Sequence, residues 1–135
     1  MKYRYIAAVA IAGTVSVGVV ATGPASAAAG TRTCIPYFHA PKGDVCFDAD
    51  GDKFVISDMV SDGRRLVVKW TAFDGSGRSG ECHDADGANN GVTVCNYDFV
   101  EGRDHYVKFQ GMTRNGARGT DADKSPALNG PISPR

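Results

Sequence analysis

The sequence predicts an all-β protein: a small antiparallel β-sandwich, immunoglobulin-like or related, of about six to seven strands that follow a cleavable signal peptide. From position 45 onward, apolar stretches alternate with clusters of glycine and aspartate, and these turn signals recur about every 10–15 residues. Within the stretches, apolar residues recur with a period of two, and no window shows the 3.6-residue period of an amphipathic helix.

The chain begins with the features of a secretory signal peptide. Two basic residues within the first four precede an apolar run from Ile6 to about Ala21, and a small-residue A-x-A sequence ends at Ala27. The run is too short and too interrupted by glycine for a membrane span, and no second apolar stretch follows it. We therefore expect residues 1–27 to be removed and the mature protein to be secreted and extracellular, without a membrane span.

Removal of the signal peptide leaves 108 residues, a length that supports one domain with a modest core. The mature chain has thirteen basic and fifteen acidic residues, and this net charge of −2 predicts no nucleic-acid partner. We expect a loose N-terminal segment over 28–33, a disulfide-stapled β-domain over 34–115 and a mobile C-terminal tail over 116–135. The tail is rich in proline and glycine and has almost no large apolar residue. A monomer is expected.

Four cysteines fall in two close pairs, Cys34 with Cys46 and Cys82 with Cys95. An even number of cysteines in an exported chain indicates disulfides. Three connectivities are possible, and local pairing is favoured because it closes two short loops, each bridge contributing about 3 kcal/mol. Neither pair has the CxxC spacing of a redox or zinc site.

The clearest predicted strand is "LVVKWTAF", in which Leu66, Val68 and Trp70 share one face. The stretch "HYVKFQGM" alternates in the same way, with Val107 and Phe109 on one face. The aromatic residues, Trp70 among them, can form the core or a platform on which sugars stack. A domain this small needs them in its core, which favours the first alternative.

Three aspartate-rich phrases, "DADGD", "DADGANNG" and "TDADKS", resemble the start of a calcium-binding loop. An EF-hand loop needs glycine at its sixth position and a bidentate glutamate at its twelfth, but counting from Asp48 these are Lys53 and Met59. Asp-Gly suits a tight hairpin turn, so we predict turns and no cofactor. A weak calcium site is left open, with candidate ligands Asp84, Asp86, Asn89 and Asn90.

The stretch "DHYVKF", from Asp104 to Phe109, resembles the D-H-Y-x-x-F stretch of secreted guanyl-specific ribonucleases. The resemblance implies His105 as the general acid and leaves Glu81 as the upstream candidate for the general base. It covers six residues, and the arginine that the family places between base and acid has no counterpart here between Glu81 and Arg103. We therefore predict no catalytic residue and favour a protein that is not an enzyme.

A longer resemblance rests on "VISDMVSDGRRLVVKW", on "GRSGECHDADGANNGVTVCNYDFVEG" and on the closing "RNG". From about Cys34 to Gly116, the chain is similar to a group of small exported disulfide-containing proteins of actinobacteria, Streptomyces in particular. This resemblance implies secretion but no activity.

Three classes of function stay open from the sequence. Polar, glycine-rich loops favour a binding module for an extracellular protein or glycan. The first alternative is a secreted hydrolase inhibitor that presents the loop between Cys82 and Cys95, because a preorganised loop loses little entropy on binding. The second is a ribonuclease-like enzyme that uses His105 and Glu81.

Overall fold

The structure, a computed structural model, describes residues 30–36 and 42–132. This part of the chain forms nine β-strands and no helix, which confirms the predicted all-β class. Nothing in it is a helix long and apolar enough to cross a membrane. The strands are β1 (Arg32–Cys34), β2 (Gly43–Asp48), β3 (Lys53–Asp58), β4 (Arg65–Phe73), β5 (Ser79–Asp84), β6 (Thr93–Asn96), β7 (Tyr106–Arg114), β8 (Asp121–Ala122) and β9 (Leu128–Pro131).

The strands form two antiparallel sheets that pack as a β-sandwich. Sheet A has the order β1-β2-β3-β6, and sheet B has the order β5-β4-β7, with β8 and β9 both paired to the far edge of β7. Consecutive strands β3 and β4 lie in different sheets, and so do β6 and β7. Because β3 pairs with β6 and β4 with β7, the two sheets are interlocked.

Strand β4 shows how the period of two builds the sandwich. Leu66, Val68 and Trp70 are buried against the opposite sheet, whereas Lys69 and Thr71 between them are exposed. The nine-residue strand pairs along its whole length with β7 and along most of it with β5, so it is the centre of sheet B. The alternation predicted from the sequence is therefore confirmed for this strand.

Aromatic side chains join the two sheets. The rings of Phe47 and Phe54 in sheet A lie 6.2 and 5.3 Å from the ring of Phe109 in sheet B. Trp70 contacts Tyr97 edge to face at 4.6 Å. Full burial of each phenylalanine contributes about 2 kcal/mol of hydrophobic free energy, and Trp70 is a core residue.

Both disulfides pair locally, as the cysteine spacing favours. Cys34 and Cys46 are directly opposite each other in β1 and β2, so this bridge lies within sheet A. Cys82 in β5 and Cys95 in β6 connect the edge of sheet B to the edge of sheet A. Two disulfides fit an oxidising compartment.

The first aspartate-rich phrase is a hairpin turn. It connects β2 to β3, with Gly51 at φ 84° and Asp52 at φ 49°. Aspartate and glycine tolerate this left-handed region, as the turn prediction required. Asp48 forms an ion pair with Arg32 at 3.0 Å on the strand beside it.

Two buried aspartates hold the segment that follows β6. The carboxylate of Asp52 accepts a hydrogen bond from the backbone N–H of Phe99 at 3.1 Å, and that of Asp74 accepts one from Val100 at 2.8 Å. Burial alone would raise the pKa of Asp74, but hydrogen bonds from Ser76 and Val100 lower it to about 2. The carboxylate therefore stays ionised and fixes the turn after β4 to the crossing segment.

Nine strands are found instead of the predicted six to seven, and the C-terminal segment accounts for both additions. The mobile tail predicted over 116–135 differs from the structure, which places β8 and β9 on β7 as far as Ile132. Ser125 is buried between them. Its hydroxyl accepts a hydrogen bond from the N–H of Gly111, and its own N–H donates one to the carbonyl of Gly111. Backbone pairing with an available strand edge, and not apolar content, orders this segment.

The structure describes only part of the segments predicted at the N-terminus. Of the loose segment predicted over 28–33, residues 30–33 are described, and Arg32 already begins a strand paired with β2. The signal peptide predicted over 1–27 lies outside the described residues.

We predict that the two disulfides contribute differently to the free energy of unfolding although they close loops of nearly equal length. Cys34→Ala with Cys46→Ala should lower the free energy of unfolding by about 3 kcal/mol through chain entropy alone. Cys82→Ala with Cys95→Ala should cost roughly 1 kcal/mol more, because Cys82 is 1% exposed and packs in the core. Urea unfolding of both double variants measures the difference. Equal losses would mean that the inter-sheet bridge adds no packing.

Replacing the anchoring carboxylate of Asp74 should give a pH-dependent loss. Asp74→Asn is expected to cost about 2 kcal/mol at pH 7, because hydrogen bonds to an ionised acceptor are lost. The pKa is lowered from an ordinary 3.8 to about 2, so the carboxylate stabilises the fold fully above about pH 4 and loses this effect as the pH falls towards 2. Unfolding from pH 2 to pH 7 should therefore show a loss that shrinks with acid, with Asp50→Asn in the exposed hairpin turn as control. A loss independent of pH would contradict the assignment.

Candidate ligand-binding face

The outward side chains of β4, β5 and β7 form one face of the sandwich, here called the outer face of sheet B. The register places outward residues of β4 between one residue of β5 and one of β7. The central rows are Val67 with His83 and Met112, Lys69 with Glu81 and Gln110, and Thr71 with Ser79 and Lys108. This face is rigid because both neighbours of β4 are paired strands.

An ion network covers one half of this face. Arg114 donates to both carboxylate oxygens of Glu81 at 2.9 Å and to Asp121 at 2.7 Å. Lys69 donates to Asp121 at 2.6 Å. Val67 in the adjacent row points outward but is fully buried, so the face is closed to a ligand at that row.

The charges of the network are balanced within it. The bidentate hydrogen bonds from Arg114 lower the pKa of Glu81 to about 2, and the hydrogen bond from Lys69 lowers the pKa of Asp121. The bond to Glu81 in turn raises the pKa of Arg114. Two cations and two carboxylates therefore neutralise one another.

Arg114 has no donor left for a substrate. Its five N–H groups are directed at Glu81, at Asp121 and at the carbonyl of Ala117. Glu81 also accepts a hydrogen bond from Nε2 of His83 at 2.8 Å. A carboxylate held ionised by this many donors is a weak base, so the network is a structural brace that links β5, β7 and β8.

The ribonuclease-like pair considered from the sequence is not brought together. Glu81 lies in the row of Gln110, and His105 precedes Gln110 by five residues. At about 3.4 Å per residue, the two side chains are separated by about 17 Å along the strand direction. His105 instead bonds through Nδ1 to the carbonyl of Val100 at 2.7 Å. General acid–base catalysis between these two residues is incompatible with this spacing.

The four residues considered as calcium ligands serve the β5–β6 loop itself. Asp84 is buried and accepts hydrogen bonds from the N–H of Asp58 and the hydroxyl of Thr93. Asn90 donates to the carbonyl of Asp86 at 2.5 Å. Asn89 has φ 60° and donates its N–H to the carbonyl of Asp58. Within residues 30–36 and 42–132, no three His, Cys, Asp or Glu side chains are grouped so that they could hold a metal ion.

The other half of the outer face of sheet B is open. A groove of about 420 Å³ lies here, and it is lined by β4, β5 and β7. The hydroxyls of Thr71 and Ser79 and the ammonium of Lys108 line it, and none of the three has a hydrogen-bond or ion-pair partner among the described residues. Their polar groups are available to a ligand. We call this region the open groove.

A partly exposed aromatic pair occupies the next outward row of β4 and β7, beyond the open groove. Phe73 at the end of β4 is directly opposite Tyr106 at the start of β7, and their rings stack at 4.8 Å with an interplanar angle of 10°. Phe73 is 46% exposed. The turn beside it contains Gly75 and Gly77, around which space is open. The pair therefore presents an apolar surface to solvent on an otherwise polar face.

A second cavity, of about 360 Å³, lies at one end of the sandwich between the loops that follow β3, β5 and β7. Here the β5–β6 loop is attached to β3 at two points: Asn89 donates to the carbonyl of Asp58, and Ser57 donates to the carbonyl of Gly91. The loop that the inhibitor hypothesis invoked is thus preorganised. Val92 at its end is 65% exposed.

Neither protein-family models, nor curated proteins, nor solved structures gave a match to this chain.

The residues of the open groove were not singled out from the sequence, although a signal for them exists. Phe73 occupies the same phase of β4 as Lys69 and Thr71, and Tyr106 the same phase of β7 as Lys108. An aromatic residue in the polar phase of a strand is exposed on a solvated face. Their pairing across β4 and β7 needed the register.

Removal of the central arginine of the brace should both destabilise the protein and free Glu81. Arg114→Met is expected to lower the free energy of unfolding by about 3 kcal/mol, because two carboxylates lose their partner. The pKa of Glu81 should rise from about 2 towards its ordinary range. Urea unfolding and NMR titration of the glutamate measure the two effects, and Arg118→Met at an exposed site is the control. An unchanged titration of Glu81 would show that the brace does not form.

Proposed function

We propose that this protein is a secreted binding module whose ligand occupies the open groove. One observation carries the proposal: three polar groups that have no partner among the described residues line a groove on a rigid sheet, and a partly exposed aromatic pair lies at its end. Recognition sites combine such unpaired polar groups with exposed aromatic area. The two disulfides support export, which stays a prediction together with the actinobacterial resemblance and the monomeric state.

A binding role is favoured over catalysis by the state of the charged residues. Glu81 is the acidic side chain that lines the groove, and it is held ionised by Arg114 and His83. A general acid or base needs a pKa near the working pH, and the pKa of Glu81 is far below that. The groove can therefore hold a ligand, but the carboxyl group of Glu81 is unsuited to proton transfer.

We propose further that the sandwich is immunoglobulin-like. In that fold, strands A, B and E are neighbours in one sheet, and C, F and G in the other. Strands β2, β3 and β6 and strands β4, β7 and β9 have the corresponding neighbours in this chain. The buried Trp70 on β4 corresponds to the tryptophan of strand C, whereas the inter-sheet disulfide here joins β5 and β6.

A second candidate, a secreted hydrolase inhibitor, is favoured by the preorganised β5–β6 loop. Its two attachments to β3 and the Cys82–Cys95 bridge hold it in place, and the exposed Val92 would contact the enzyme. If this is the function, a panel of secreted proteases and amylases should be slowed at micromolar protein, and Val92→Asp should abolish the effect. No slowing of any enzyme would remove this candidate.

The binding proposal is tested by blocking the open groove. The full chain is expressed in an export-competent bacterial host, purified from the medium, immobilised and exposed to culture medium and cell-envelope material. We expect the wild type to retain a component that Thr71→Arg does not retain, because the larger side chain fills the groove. Asn96→Arg, on the exposed outer side of β6, is the matched control and should behave as the wild type. Equal retention by all three proteins, or none, would contradict the proposal.

A further inference from the structure

We infer that the ligand of the open groove is an oligosaccharide, which stacks on the Phe73–Tyr106 pair and is hydrogen-bonded by Thr71, Ser79 and Lys108. This inference rests on the proposed binding function and names the chemical class of its ligand.

The polar groups of the open groove suit a ligand with many hydroxyls. Thr71 and Ser79 are directly opposite each other in β4 and β5, and each hydroxyl can both donate and accept a hydrogen bond. Lys108, across β4 from Ser79, adds three donors that no described residue takes up. A sugar ring carries hydroxyls of the same dual character on adjacent carbons. Its donors and acceptors can therefore be matched without leaving a buried polar group unpaired.

The aromatic pair supplies the apolar part of such a site. Phe73 and Tyr106 already stack on each other, so their orientation is fixed before a ligand arrives. A pyranose ring has one face of C–H groups that packs against an aromatic surface while its hydroxyls point sideways. At about 3.4 Å per residue, Phe73 lies about 7 Å along β4 from Thr71, a distance that neighbouring sugar units can bridge.

The charge of the groove argues against a nucleic-acid ligand. Lys69 and Arg114 are neutralised by Glu81 and Asp121, so Lys108 is the one uncompensated charge among the described residues that line the groove. Sequence-independent binding of single-stranded nucleic acid needs a row of cations along the phosphates. One ammonium group can accommodate one carboxylate of an acidic sugar but not a phosphate backbone.

The position of the groove argues against an extended peptide. A peptide that adds to a sheet needs a free strand edge, and β4 and β7 are paired on both edges. The edge strand that lines the groove is β5, where the Tyr97 hydroxyl donates to the carbonyl of Glu81 and the disulfide joins Cys82 to β6. A helical or folded protein partner needs a broad apolar contact area, whereas Phe73 is the one large side chain near the groove among the exposed hydrophobic residues.

The experiment uses the exported protein and short oligomers of glucose, of N-acetylglucosamine and of a uronic acid. Binding is followed by calorimetry, and NMR shift changes of the backbone amides locate it. We expect at least one oligomer to bind, with shift changes in the middle of β4 and β7 and around Phe73. Phe73→Ala should weaken binding about tenfold, and Lys108→Gln should weaken the uronic acid oligomer more than the neutral ones.

Two variants on other parts of the surface serve as matched controls. Val92→Ala removes an exposed apolar side chain from the β5–β6 loop, and Lys53→Gln removes a half-buried charge, paired with Asp48, from sheet A. Both should leave the affinity unchanged. The shift map of the wild type is independent of whether any variant folds.

The outcomes separate the ligand class from the binding function. Sugar binding mapped to another surface, or unaffected by Phe73→Ala, would overturn the inference. In another outcome, no sugar oligomer binds at millimolar concentration, but a protein or a ten-nucleotide thymidine oligomer is retained and Thr71→Arg blocks its retention. In that case the oligosaccharide inference is wrong and the binding proposal stands. If nothing is retained through the groove, both proposals fail.

Discussion

The fixation of one short segment, Tyr97 to Val100, between the two sheets is the constraint on which the rest of the structure depends. This segment leaves β6 in sheet A and leads to β7 in sheet B, and the ring of its buried Phe99 packs against Phe47 of sheet A and Trp70 of sheet B. Asp52 accepts two of its N–H groups, one through the backbone carbonyl and one through the carboxylate. Asp74 accepts a third. Because one aspartate follows β2 and the other follows β4, both sheets hold the segment.

That fixation determines where β7 enters sheet B, and with it the candidate binding face. The nine-residue pairing of β4 with β7 places Tyr106 opposite Phe73 and Lys108 opposite Thr71. The same alternation buries Val107 and directs its neighbours outward. A slip of one residue would exchange these two sets, which would remove the aromatic pair from the surface and bury a lysine. Core packing and the composition of the open groove are therefore consequences of one register.

The sequence was sufficient for features that arise from local chemistry. The alternation in β4, the turn role of the first aspartate-rich phrase and the local disulfides follow from neighbouring residues, because period, left-handed turn geometry and short loop closure are local properties. Strands β8 and β9 could not be predicted from the sequence, because they have only two and four residues and are ordered by pairing with the edge of β7. Ser125 illustrates this: a serine in a proline-rich stretch predicts a loop, but Gly111 offers it both a donor and an acceptor.

From the sequence, the site could be predicted only as a set of polar loops and strand residues. The side chains that interact in it are far apart along the chain. Arg114 and Glu81 are 33 residues apart, and nothing local to either indicates a bidentate pair. The resemblance that suggested His105 and Glu81 as a catalytic pair failed for the same reason, because one six-residue motif says nothing about the register of the strands. The ion pair of Glu81 with Arg114 leaves the β5 side of the groove electrically neutral, while Lys108 on β7 carries an uncompensated charge. The open groove thus has one neutral wall of hydroxyls and one cationic wall, and a bound chain with an uneven distribution of charge would be held in a single orientation.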